Sequence, residues 1–184
     1  MLVLGFVAFI ALGTALLSLP AVTTNEGHLP LVDALFTATS AVCVTGLTIA
    51  DTGTTFTPLG QAVILGLIQV GGVGFVVMAI AVSVLIGRRV GLRERLLVRE
   101  AMGQVQLQGM VRLALYVITV TLIIEAAGAA LLFLHWMPQM GVARAAWFAV
   151  FHAISAFANA GFDLFGQEGG ISLGAYRDDL VVNG

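Results

Sequence analysis

Three stretches of this chain, roughly 1–19, 58–86 and 111–137, are apolar almost without interruption, and the charged residues within all three are Arg112 and Glu125. About 20 apolar residues in a helix cross the hydrocarbon of a bilayer. A soluble domain cannot hide three such runs and still offer water a polar surface. Only 10% of the 184 residues are charged, against about 25% in an ordinary soluble domain. The chain therefore reads as an all-α integral membrane protein, in contact with lipid. Pro20 and Pro138 are expected to close the first and third spans. The opening run lacks the basic start and clear cleavage site of a signal peptide, so a first transmembrane helix is the better reading.

Charge placement orients the spans. There is no lysine, and six of eight arginines lie from Arg88 to Arg112: Arg88, Arg89, Arg93, Arg95 and Arg99 between the second and third apolar runs, and Arg112 at the start of the third. The positive-inside bias makes that connection cytoplasmic. Glu26, Asp33 and Asp51 follow the first run with no arginine, which puts that side outside. The arginine segment reads as an interfacial helix on the inner leaflet or as a docking surface.

Two shorter apolar stretches, near 30–43 and 145–158, span about four turns and each leads into a glycine. That length suits re-entrant helices, which dip into the membrane and return. Shifted by 115 residues, "VDALFTATSAVCVTGLT" (32–48) lies over "WFAVFHAISAFANAGFD" (147–163), with six identities in 17: Ala34/Ala149, Phe36/Phe151, Ala38/Ala153, Ser40/Ser155, Ala41/Ala156 and Gly46/Gly161. The order long helix, outer loop, short helix, glycine occurs twice with the same orientation, so the repeat is parallel. Residues 1–87 form a first helix–pore loop–helix unit. Residues 88–110 form the arginine-rich connection, and 111–184 an incomplete second unit whose closing span is expected but missing. The chain reads as a fragment of about one and a half units.

Irregular backbone at membrane depth is tolerated where protein buries it or where it lines a water-filled path. A short helix aimed inward, then a glycine turn running back out, can offer carbonyl oxygens to a dehydrated cation. Glycine holds φ > 0 and adds no side chain. The helix C-terminus carries partial negative charge, which also favours a cation. Val44, Thr45, Gly46 and Leu47, with Asn159, Ala160, Gly161 and Phe162, are thus two quadrants of a candidate selectivity filter. Asp163 either draws cations to the mouth or braces the loop by accepting backbone N–H groups.

The stretches "FTATSAVCVTGLTIADTG", "QVGGVGFVVMA" and "FHAISAFANAGFDLFG" resemble the Trk/Ktr/HKT superfamily of potassium transporters, most closely its bacterial KtrB-type membrane subunits. The resemblance covers nearly the whole chain. It implies four helix–pore loop–helix units around one ion path, with one filter glycine in each. Gly46 and Gly161 match the first two. Glycine at both positions implies potassium, since relatives that admit sodium often carry serine in the first. The resemblance further implies K+ as the transported ion, no tightly bound cofactor, a cytoplasmic nucleotide-binding regulatory subunit of the KtrA/TrkA kind, a homodimer of the full-length subunit and a multi-pass place in the bacterial inner membrane. It implies no enzymatic activity and no nucleic-acid partner.

An intramembrane hydrolase needs a serine–histidine or paired-aspartate constellation, and Ser40 and Ser155 lack a G-x-S-x-G context. A non-transporting packing subunit has no need of a repeated glycine turn. Gly71, Gly72 and Gly74 suit close helix packing better than phosphate binding. Glu125 is either a functional intramembrane carboxylate or a hydrogen-bonded structural group. His28, His135 and His152 share no metal-ligand spacing, and Cys43 reads as a small packing residue.

Overall fold

The structure is a computed structural model and describes residues 2–24, 29–87, 107–168 and 176. The described residues are helical with no strand, in the order α1 (Leu2–Leu17), α2 (Leu31–Cys43), α3 (Thr52–Thr55), α4 (Pro58–Gly87), α5 (Leu107–Met140) and α6 (Val142–Phe157). Two 3-10 turns, Pro20–Val22 and Phe165–Glu168, complete the set. Most of the arginine-rich connection lies outside the described residues.

Helix α1 ends at Leu17, and Pro20 opens the following turn. The loop after α1 then meets the loop before α4 through an isolated antiparallel bridge, Thr23 to Phe56. Thr24 N–H donates to the Thr55 carbonyl at 2.9 Å and Thr57 N–H to the Val22 carbonyl at 2.9 Å. The excursion through α2 therefore leaves and returns at one place. With 13 residues, α2 reaches about 20 Å at 1.5 Å per residue, short of the roughly 30 Å of a hydrocarbon core.

Helix α2 lies against α1 and α4 because its inner face is small. Ala34, Ala38 and Ala41 are fully buried, and a Cβ on Gly13 of α1 would stand 3.2 Å from the Ala38 Cβ. In the second half α6 lies against α5, with Gly128 opposite Ala153. The core continues through Ile64, Ile68, Trp136, Phe148, Phe151 and Phe165. The outer faces of α1 and α5, including Val3, Leu4, Ile123, Leu131 and Leu134, remain exposed.

Several boundaries differ from the sequence expectation, including the start of α5 at Leu107, four residues before 111. Helix α5 does not stop before Pro138 but runs through it to Met140. A proline this close to a helix end forfeits one N–H bond, and its φ is already helical. The break comes at Gly141, with φ 80°, whose N–H still bonds the Met137 carbonyl at 3.1 Å. Helix α6 consequently starts three residues earlier than expected, at Val142. The one-turn helix α3 was not anticipated; the Asp51 carboxylate caps it, accepting from Thr54 N–H at 2.7 Å and Thr54 Oγ1 at 2.8 Å. Among the described residues one segment, Leu115–Met140, is long and apolar enough to cross a membrane; Val3–Leu17 and Pro58–Gly74 are shorter apolar stretches.

Candidate functional site: two glycine turns that meet

Both short helices end in the same way. At the first, Val44 is left-handed with φ 55° and ψ 45°, and its N–H donates to the Ala41 carbonyl at 3.3 Å. Thr45 N–H donates to the Ser40 carbonyl at 3.0 Å, and Gly46 has φ 73°. At the second, Asn159 has φ 56° and donates to the Ala156 carbonyl at 2.9 Å. Ala160 N–H donates to the Ser155 carbonyl at 2.7 Å, and Gly161 has φ 70°. Donors, acceptors and positive φ values all recur at an interval of 115 residues. Asparagine tolerates the left-handed region better than most residues. Valine does not, and a non-glycine residue held there costs about 1–3 kcal/mol, so the fold forces Val44 into place.

The turns also touch. A Cβ on Gly46 would lie 2.8 Å from the Ala160 carbonyl oxygen and 3.3 Å from the Gly161 Cα. A Cβ on Gly161 would lie 3.3 Å from the Gly46 Cα. Glycine at 46 is thus required twice, by its φ and by the neighbouring backbone. Around this contact Thr45, Leu47, Asn159 and Gly161 are exposed, Val44 and Gly46 are half-buried, and Ala160 and Phe162 are buried.

Helix α4 seats both turns. A Cβ on Gly71 would collide with the Val42 carbonyl oxygen and stand 3.1 Å from Val44 Cγ2. A Cβ on Gly72 would stand 3.1 Å from the Ala158 Cβ. So "QVGGVG" brings α4 against the end of α2 with one glycine and the end of α6 with the next. Among the described residues a Cβ on Gly74 would meet nothing within 4 Å.

The turns are braced unequally. Thr45 Oγ1 donates to Ser40 Oγ at 3.0 Å. Ala160, its counterpart, has no hydroxyl, and Ser155 Oγ instead donates to the Phe162 carbonyl at 2.7 Å. That bond draws the Phe162 oxygen toward α6. Asp163 Oδ1 accepts from Phe165 N–H at 2.9 Å, bracing the loop. His152 accepts from Leu164 N–H through Nε2 at 3.3 Å, a role that its lack of metal-ligand spacing gave no hint of. Further out, Trp147 Nε1 donates to Gln61 Oε1 at 2.7 Å, joining α6 to the start of α4.

A cavity of about 630 Å³ opens beside the ends of both short helices, lined by Val44, Asn159, Gln69, Thr121 and Glu125 among others. Cys43 also faces it and is exposed, contrary to its reading as a packing residue. Glu125 is buried, and its Oε2 accepts from Gln69 Nε2 at 3.0 Å. Among the described residues no group of three or more His, Cys, Asp or Glu is placed to hold a metal ion.

The family described as TrkH, cation transport protein, matches residues 4–183. The chain is 43% identical over 182 residues to the Ktr system potassium uptake protein B of Bacillus subtilis (strain 168), covering 99% of this chain and 40% of that protein. It is 39% identical over 182 residues to the Ktr system potassium uptake protein B of Vibrio alginolyticus, covering 99% and 39%. It is 38% identical over 163 residues to the potassium/sodium uptake protein NtpJ of Enterococcus hirae, covering 89% and 36%. The chain thus spans about two fifths of the length of these relatives. With a match over nearly all of its length, this helical membrane protein belongs to the TrkH family of cation transport proteins.

Proposed function

We propose that this chain forms part of the ion path of a potassium uptake system, with the backbone of 44–47 and 159–162 as two segments of its selectivity filter. The observation that carries the reading is the pair of glycine turns whose backbone bonds recur and which meet at Gly46 and Gly161. Each follows a short helix whose partly negative C-terminus faces the same region. Carbonyl oxygens held there by the backbone replace a cation's water without a charged side chain. Residues 1–87 and 111–184 are the first unit and the beginning of the second, joined by the arginine-rich connection 88–110. Potassium is the transported ion, supported by the names of the relatives and by glycine at both turns. The system sits in the bacterial inner membrane as a multi-pass dimer and answers to a cytoplasmic nucleotide-binding subunit. A system name shared by two relatives supports more than one component.

The test is a chimera in which this chain replaces the matched 182-residue segment of the Bacillus protein. Expressed in cells that lack other potassium uptake, it should restore growth on low potassium and accumulate potassium in preference to sodium. Correct membrane insertion with no cation uptake would refute the reading. The name of the Enterococcus relative includes sodium, which makes the ratio of the two ions the quantity to record.

A further inference from the structure

His152 lies in α6 with only 5% of its surface exposed. Trp136, Phe148, Phe151 and Phe165 surround its ring at centroid distances of 4.9–5.8 Å. Two hydrogen bonds fix its tautomer. Nδ1 stands 2.7 Å from the Phe148 carbonyl, which can only accept, so Nδ1 carries the proton. Leu164 N–H points at Nε2 from 3.3 Å, so Nε2 is the bare acceptor. The second bond crosses twelve residues of chain and ends in the loop that follows Gly161.

That loop packs against residues 51–53 of the first half of the chain. A Cβ on Gly53 would collide with the Leu164 carbonyl oxygen, and a Cβ on Gly166 would collide with the carboxylate of Asp51. Asp51 is itself held by capping α3. One side of this contact is therefore anchored by Asp51, and the other by His152 through the Leu164 amide. The repeat supplies no second histidine, since Thr37 stands 115 residues before His152.

We propose that His152 is a positioning residue for cation selection. It holds 162–166 against Gly53 and Asp51, and so sets how far the segment 159–162 stands from 44–47. This rests on the filter reading above. The Phe148 carbonyl already fixes the tautomer of a ring that only packs; a ring that positions Leu164 adds a bond accepted by its bare Nε2.

The experiment compares His152→Phe, His152→Gln and Gly46→Ala in the chimera, reading potassium and sodium uptake against membrane content. Phenylalanine keeps the aromatic bulk and loses both hydrogen bonds. Glutamine places a carbonyl oxygen near the position of Nε2. His152→Phe should lower the potassium-to-sodium ratio about threefold or more, a change of ~0.65 kcal/mol, and His152→Gln should recover most of it. If His152→Phe leaves the ratio unchanged while Gly46→Ala lowers it, His152 only packs and the filter reading survives. If Gly46→Ala also leaves the ratio unchanged, the filter reading falls and the proposal with it. Should His152→Phe fail to insert, nitrogen-15 spectra of the histidine-labelled chain decide: a neutral ring protonated at Nδ1 whose Nε2 shift shows an accepted hydrogen bond is expected, and a Nε2 that is protonated or accepts no bond overturns the proposal.

Discussion

Gly46 and Gly161 stand back to back, and a Cβ on either would lie 3.3 Å from the Cα of the other. Two backbones approach this closely only where neither carries a side chain. The contact joins positions 115 residues apart that occupy the same place in two repeats. It puts the glycine turns that follow the two short helices at one site, with α4 behind them. The following consequences concern how that site is held.

The glycines of α4 should differ in their tolerance. Gly71→Ala drives a methyl into the Val42 carbonyl, where backbone must shift, whereas Gly74→Ala meets nothing within 4 Å among the described residues. Gly72→Ala falls between them, 3.1 Å from a methyl that can give slightly. Overpacking of this kind costs about 1–3 kcal/mol. Thermal unfolding of the purified chimera in detergent should rank the variants Gly71→Ala least stable, then Gly72→Ala, then Gly74→Ala near the parent. Equal midpoints for all three would contradict the seating of α2 and α6 on this run.

The Glu125–Gln69 pair should behave as a partnership. Glu125→Gln keeps an oxygen for Gln69 Nε2 and should be tolerated. Glu125→Leu strands the amide of a residue whose Oε1 has no hydrogen-bond partner among the described residues. An unsatisfied buried polar group costs about 1–3 kcal/mol. Gln69→Leu should be similarly harmful alone, and the double leucine variant less harmful than the sum of the singles. Strict additivity in unfolding measurements would show that the 3.0 Å bond contributes nothing.

The capping role of Asp51 is separable from its charge. Asp51→Asn retains an oxygen for Thr54 N–H and should stay near the parent, while Asp51→Ala should lose about 0.5–2 kcal/mol. Limited proteolysis near α3 is a direct check, with Asp51→Ala expected to be cut faster. Equal cutting of both variants would mean that the cap does not hold α3.

What the sequence made legible follows from the range of the forces involved. Helix α4 was expected from 58 to 87 and runs from Pro58 to Gly87, because a proline start and an unbroken apolar run are local signals. The glycine repeat was legible because both copies need the same φ, and only a few residue types supply it. Pro138 misled because a proline in a last turn and a proline beyond it look alike in sequence. The nearness of Gly46 and Gly161 followed from reading both turns as quadrants of one filter, but the seat of Leu164 on Gly53 and the bond from Leu164 to His152 are pairings across the fold. No spacing rule encodes them. His152 looked like any histidine on an apolar face until its acceptor nitrogen had a partner.

Gly46→Ala against Gly161→Ala in the chimera is the measurement that bears most directly on the filter. Both replacements strain a positive φ, but Gly46→Ala also pushes a methyl against the Ala160 carbonyl at 2.8 Å. Each ~1.4 kcal/mol of differential effect on two cations changes their ratio tenfold. The account predicts normal membrane insertion, a reduced potassium-to-sodium uptake ratio in both variants, and the larger reduction for Gly46→Ala. An unchanged ratio in Gly46→Ala, with the protein present in the membrane at parental levels, would contradict it.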